Sequence, residues 1–323
     1  MSRLAASVVI PTRGGAARLP VLLATLAAQE TDDFEVVPVV DGDIDGSEEV
    51  LRSWADRLNL KPVIFPENRG RAAALNAGAA AAAGRIIIRC DDDLEPRSDF
   101  IAGHVARHST QRCGVVGLTT NALPDTAYAR AYGRKANARA IAGALALPAK
   151  RTWRLWSANV SVPAAVHSRL GGYDGRYRRY GWEDVDFGYR LHRAGFPIVV
   201  APELIAVHHG ASTTTAVRAV RALHSGAARE TFLALHGQAA LREFDGARSA
   251  RKPGLWDRSG LWDRVVTTSS TFTTERTLRA YGAAADSAAS WLPAALAEKL
   301  IALAVESAGI AGVRYPRRAR GMF

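Results

Sequence analysis

Cysteine is almost missing from this chain: Cys90 and Cys113 are the only two in 323 residues. Two thiols at that spacing give neither a disulfide framework nor a metal-ligand motif, and they point to a reducing, cytoplasmic setting. Long apolar runs are missing too. Even WLPAALAEKLIALAVESAGIAGV is broken by Glu298, Lys299 and Glu306, so no bilayer span is expected. The opening MSRLAASVVIPT has too short an apolar run for a signal peptide. No GxGxxG follows the first apolar run and no GxxxxGK[ST] occurs, which argues against a nicotinamide dehydrogenase and a P-loop kinase. Helix-turn-helix, zinc-finger and aromatic RNA-binding signatures are absent as well, so nucleic acid is not an expected partner.

What is present is an ordinary soluble composition, 48% hydrophobic and 23% charged, with enough apolar mass for a sizeable core. Lys and Arg number 42 against 31 Asp and Glu, a formal charge of +11. Along the sequence the arginines are spread and not gathered into one block. Two readings stand: a solvated basic surface, or affinity for an anionic partner such as a nucleotide, a lipid phosphate or an acidic membrane face.

Short apolar runs alternate with helical patterns over the first hundred residues. Ser7–Ile10, Glu35–Val40, Pro62–Phe65 and Arg85–Cys90 read as strands. Arg18–Ala28, Ser47–Leu58, Ala72–Ala83 and Asp99–His108 read as helices. That alternation implies βαβ units and a doubly wound, mainly parallel α/β sheet flanked by helices. Ligands of such sheets bind at the carboxyl ends of the strands. The residues to collect there are Thr12, Arg13, Asp41, Asp43, Asn68, Arg69 and Asp91 to Asp93. Gly114–Leu118 reads as a further strand, and residues 120–155 as an irregular, arginine-rich stretch. Residues 1–215 are expected to form the catalytic domain and 216–323 a helical extension, in which GLWDRSGLWDR is a short repetition.

Three stretches carry chemistry. In IIIRCDDDLEP a buried-looking strand runs into three consecutive carboxylates, which repel one another unless water or a cation arrives. In an extended segment alternate side chains share a face, so Asp91 and Asp93 are expected to share one cation, Mg2+ or Mn2+, while Asp92 faces elsewhere. A solvated acidic turn is the other reading. In YGWEDVDFGYRLHRAG, Glu183, Asp184 and Asp186 open an amphipathic helix. They serve either its dipole or a general base. In AVHHGAS the paired histidines after a strand read as metal ligands or as structural groups.

Taken together with VVIPTRG, VPVVDGDIDGS, ENRGRAAALNAGAAAAAG, SANVSVP and LGGYDGRYRRYGWEDVDFGYRL, these stretches resemble a family 2 inverting glycosyltransferase of GT-A fold over roughly residues 6–215. The resemblance implies roles by position. Thr12 and Arg13 line the nucleotide pocket, Asp41 binds the donor base with Asp43 nearby, and Asn68, Arg69 and Arg71 lie near base and diphosphate. Asp91 and Asp93 match the DxD metal motif, with Asp92 near the sugar, and His208 completes the metal site with His209 as alternate. Asp184 matches the general base. Trp182 and Glu183 lie toward the acceptor. DGDIDG departs from the usual DDGS and leaves the base contacts less defined.

The implied reaction is metal-dependent transfer of a sugar from a nucleotide-diphosphate donor to an acceptor hydroxyl. The acceptor, whether glycan, lipid-linked or small molecule, is not readable, and peripheral membrane contact and homo-oligomerisation stay open. The alternatives are a nucleotidyltransferase, in which WEDVDF lacks a role, and a non-catalytic carbohydrate-binding or scaffold protein.

Overall fold

The computed structural model describes residues 4–178, 181–246 and 258–319. Residues 254–257 of the first GLWDR copy and the end of the basic tail lie outside these residues. Two compact units form. One comprises Met1–Ala122, Ile141–Gly175 and Glu183–Gly210; the other comprises Leu123–Ala140, Arg176–Trp182 and Ala211–Phe323. The boundary near residue 215 expected from sequence thus falls between Gly210 and Ala211, and two earlier segments join the C-terminal helices.

The first unit is built on eight strands: β1 (Ala6–Thr12), β2 (Phe34–Asp41), β3 (Val63–Phe65), β4 (Ile86–Cys90), β5 (Leu94–Glu95), β6 (Gly114–Asn121), β7 (Asn159–Pro163) and β8 (Ile198–His208). Their order is β3-β2-β1-β4-β7-β6-β8-β5. The β3, β2, β1 and β4 strands run parallel, β7 pairs antiparallel with β4 and β6, and β8 is parallel to β6. Every residue of β2 and β4 is buried, as Val- and Ile-rich strands covered on both faces should be. Leu19, Leu22, Leu23 and Leu26 of α1 (Leu19–Ala27) recur at helical spacing and fill one side of this core.

The connecting helices are α2 (Ser47–Arg52), α3 (Arg71–Ala81), α4 (Phe100–Thr110), α5 (Arg134–Leu145), α6 (Ala164–Arg169) and α7 (Trp182–Arg193). α2 is half the length expected, ending before a run of turns at 53–57. The stretch 120–155 is not irregular. A π-helical turn over Ala129–Gly133 leads into α5, and a 3-10 turn covers Ala149–Leu155. Its alanines supply helix propensity that the interleaved arginines disguise.

In the second unit, α8 (Thr215–Asp245), α9 (Arg258–Phe272), α10 (Glu275–Ala288) and α11 (Ala294–Arg314) share a small-residue core. Leu223, Ala227, Leu278, Ile301, Ala304 and Ala308 pack with Tyr128 and Ala131. Thr214 caps α8 and a Thr274–Thr277 capping box starts α10.

Candidate active site

The carboxyl ends of β1, β2 and β4 bring Thr12, Asp41 and Asp91 to one edge of the sheet. After Cys90 the chain leaves extended geometry. Leu94 N–H donates to Asp91 O at 3.1 Å, closing a turn over the three aspartates. The alternation rule therefore fails here, and the three carboxylates take three different sets of partners.

Asp91 accepts from Arg89 Nε at 2.8 Å and Nη2 at 3.2 Å, with Arg71 Nη1 3.9 Å away. Asp92 turns to the start of the chain. Thr12 Oγ1 donates to it at 2.5 Å, and Arg18 grips both oxygens at 3.0 and 2.8 Å. Burial pushes the Asp92 carboxyl up, against the pull of Arg18 and Thr12. Asp93 faces His208, whose Nε2 lies 3.2 Å from Oδ2. Burial raises the Asp93 carboxyl, but the His208 hydrogen bond and charge outweigh it and hold the group below the usual carboxylate range.

The expected three-ligand cluster of Asp91, Asp93 and His208 is accordingly not assembled. Among the described residues no three His, Cys, Asp or Glu side chains converge as a metal site. Arg89 claims Asp91, and the Asp93–His208 pair remains. That pair fits a divalent cation on its own terms. His208 Nδ1 sits 2.8 Å from Asn121 Oδ1, an acceptor, so Nδ1 carries a proton and Nε2 is the ring nitrogen that faces Asp93. A ring nitrogen facing a carboxylate calls for a proton or a metal between them. Asp93 Oδ1 is buried with no hydrogen-bond partner among the described residues. Gly210 is required beside it, because a Cβ there would come within 1.8 Å of Asp93 Oδ2. His209, the alternate ligand, instead pairs with Glu95 at 2.7 Å and is exposed.

Residues expected to hold the donor base are hydrogen-bonded to the backbone of neighbouring loops. Asp41 accepts from the backbone N–H of Arg69 at 2.6 Å and of Gly70 at 2.9 Å, fixing the loop that opens α3. Asn68 Oδ1 accepts from Gly70 N–H at 2.9 Å. Arg13 Nη1 donates to Asp41 O at 2.7 Å. Asp43 Oδ1 accepts from the backbone of Asp45, Gly46 and Ser47, and its Oδ2 from that of Glu48. These N–H groups, Glu48's foremost, hold its carboxyl below its ordinary value, so Asp43 caps the start of α2.

Asp184 lies in the first turn of α7, buried, with Oδ1 accepting from Arg89 Nη1. Burial pushes its carboxyl up to about 7, against the opposing charge of Arg89. No described residue donates to its Oδ2. Glu183 is buried as well, 3.9 Å from Arg71 Nη1. Trp182 departs from expectation. It is 4% exposed, donates from Nε1 to Ser225 Oγ at 3.3 Å, and packs on Phe232 and Phe244 at 5.2 and 4.7 Å. Successive helix residues point about 100° apart, so adjacency to Glu183 did not put the indole on an acceptor path.

Sequence reasoning passed over Arg89, Arg18 and Asn121. Arg89 was legible: an arginine inside a buried strand, two residues before Asp91, must find a counter-charge. Arg18 and Asn121 carried no such mark.

Residues 7–160 match the sequence family described as Glycosyl transferase family 2. Validoxylamine A glucosyltransferase of Streptomyces hygroscopicus subsp. jinggangensis is 33% identical over 226 residues, covering 61% of this chain and 53% of its own. An undecaprenyl-phosphate 4-deoxy-4-formamido-L-arabinose transferase of Aeromonas hydrophila is 32% identical over 136 residues, 41% of each chain. The chain spans about half the length of the curated relatives it matches. Among solved structures, a mannosyltransferase from Pyrobaculum calidifontis in complex with GDP-Man and Mn2+ superposes with TM-score 0.59 at 19% identity, covering 98% of this chain and 89% of the other. S. aureus TarS 1-349 in complex with UDP-GlcNAc gives TM-score 0.52 at 15% identity, covering 97% and 92%. Fold and sequence pattern agree: residues 7–160 carry the sequence of glycosyl transferase family 2, and the fold is GT-A-like.

Proposed function

We propose that the protein transfers a hexose-type sugar from a nucleoside-diphosphate donor to an acceptor hydroxyl, with inversion at the anomeric carbon. The observation that carries this reading is the Asp93–His208 pair with its unpartnered, buried Oδ1, in the same compact unit as the buried Asp184. A divalent cation, Mn2+ or Mg2+, held by Asp93 and His208 would offset the charge that develops on the leaving diphosphate.

The chain's own residues supply the rest. The acceptor oxygen bonds to the anomeric carbon as the bond from that carbon to the phosphate oxygen breaks, and the diphosphate leaves with the electron pair. The hydroxyl proton passes to Asp184 Oδ2. A carboxyl lifted to about 7 suits that task, being basic enough to take a proton near neutrality. Arg89 holds Asp184 and Asp91 in one buried arrangement and fixes which oxygen of Asp184 stays open. Arg18 and Thr12 anchor Asp92, and the Asp41 carboxylate shapes the 68–70 loop at the donor edge.

The nucleotide sugars bound by the solved neighbours support a nucleotide-linked sugar as donor, and the relatives' names, a glucosyltransferase and an arabinose-derivative transferase, leave a small molecule or a lipid phosphate as acceptor class. A panel of nucleoside diphosphates and their sugars, with and without Mn2+, tests the reading by thermal shift, followed by NMR of the transferred anomer. Metal-dependent stabilisation by one base and an inverted product are expected. Stabilisation by none, or a retained configuration, contradicts it.

A further inference from the structure

The basic residues are divided almost evenly between the two units, but the acidic ones that would balance them are not. The sheet-bearing unit holds 19 Lys and Arg against 21 Asp and Glu, a formal −2, whereas the helical unit holds 23 against 10, a formal +13. The helical unit also exposes large apolar side chains that a solvated surface has no use for. Phe272, at the end of α9, is 75% exposed, and Trp291, in the link between α10 and α11, is 88% exposed with Leu292 and Leu296 beside it in the chain. Arg276 and Arg279 of α10, between these two apolar points, are exposed and make no ion pair with any described residue.

From this arrangement we infer that the helical unit is a docking surface for an anionic lipid bilayer, engaged through Phe272, Trp291 and the arginines of α10. Aromatic side chains with exposed faces, flanked by basic residues, suit the headgroup boundary, where the ring is desolvated and the guanidinium meets lipid phosphate. Charge separates this occupant from a second copy of the chain: a unit of formal charge +13 repels its own copy and is attracted to an anionic leaflet. A cleft of about 250 Å³ behind Phe272, lined by Leu278, Tyr281 and Leu303, lets that ring reorient without unfolding the unit. No helix among the described residues is long and apolar enough to cross a membrane. The inference does not depend on the transfer reaction.

Co-sedimentation of the full chain with vesicles of phosphatidylcholine, alone or with 30% phosphatidylglycerol, tests it at low and at high salt. Binding is expected to the anionic vesicles alone, and to weaken with salt. Trp291→Ser should weaken it roughly tenfold. Arg276→Gln and Arg279→Gln should each weaken it about fivefold. All three positions are exposed, and circular dichroism of each variant verifies the fold. Failure to bind anionic vesicles overturns the inference. So does binding that Trp291→Ser and the arginine variants leave unchanged, or a Trp291-dependent dimer in light scattering that binds no vesicles.

Discussion

In the sheet-bearing unit acidic side chains slightly outnumber basic ones, and several are buried against partners: Asp92 with Arg18, Asp91 and Asp184 with Arg89, Asp186 with Arg190. In the helical unit basic residues exceed acidic ones by more than two to one, and the core is dominated by alanine, with helix backbones in close approach at Gly226 and Gly312. The difference teaches where each unit keeps its specificity. The first fixes a few carboxylates in low-dielectric surroundings, where each is costly unless paired. The second buries fewer polar side chains, His224 against Glu275 among them, and offers a surface.

That contrast can be broken most severely at Asp184. Replacing it with Asn keeps shape and the contact with Arg89 but removes the proton acceptor. Transfer should fall by about 100- to 10,000-fold while donor binding stays near that of the parent. Steady-state turnover beside calorimetry of the nucleoside diphosphate separates the two. Near-parental turnover would remove Asp184 from the reaction.

Arg89→Met leaves Asp91 and Asp184 without their buried counter-charge. A loss of about 3–5 kcal/mol in urea unfolding at pH 7 is expected. A loss below about 1 kcal/mol would show the two carboxylates to be solvated.

The same unit should be the acid-sensitive one. His104 is fully buried, donating from Nε2 to Asn159 Oδ1 at 3.0 Å and accepting at Nδ1 from Ser161 Oγ at 2.8 Å, so it ties α4 to β7 as a neutral ring. Burial lowers it to about 3. The unfolded chain binds this proton first as pH falls, so stability is full above about 6.5 and declines toward 3. The slope is at most about 1.4 kcal/mol per pH unit. Between pH 7 and 5, His104 should account for roughly 2 kcal/mol of the loss, and His104→Gln should flatten the profile by that amount. An unchanged slope would contradict the assignment.

The helical unit should break at its glycines instead. A Cβ on Gly312 of α11 would meet Leu223 O of α8 at 2.1 Å, and Gly226 of α8 approaches α11 as closely. Gly312→Ala should cost about 1–3 kcal/mol through overpacking, with nucleotide binding unaffected. Equal stability of variant and parent would mean that the two helices are not packed this tightly.

How far the sequence was legible follows the same division. Strands β1, β2 and β4 announced themselves because a covered parallel strand needs continuous Val and Ile, and the polar residues after them fell at the site edge as the fold requires. The partners of those residues were not legible. Whether Asp91 or Asp93 meets His208 depends on a turn that Leu94 closes back on Asp91, and no composition rule forecasts it. Asp43 looked like a donor contact because a cap and a ligand are both carboxylates after a strand. The helical unit hid its extent, since Tyr128 and Ala131 join it across ninety residues of sequence and alanine helices lack a strong apolar stripe.

The account rests on Asp93 and His208 as the metal pole, with Asp91 held back by Arg89. Electron paramagnetic resonance of Mn2+, titrated into the protein with a saturating nucleoside diphosphate, tests this most directly. The parent should take up one Mn2+, and Asp93→Asn should weaken uptake by at least about 100-fold, beyond what the loss of an outer-shell partner costs. Asp91→Asn should weaken it far less. Unchanged Mn2+ affinity in Asp93→Asn, or a greater loss in Asp91→Asn, would contradict the account.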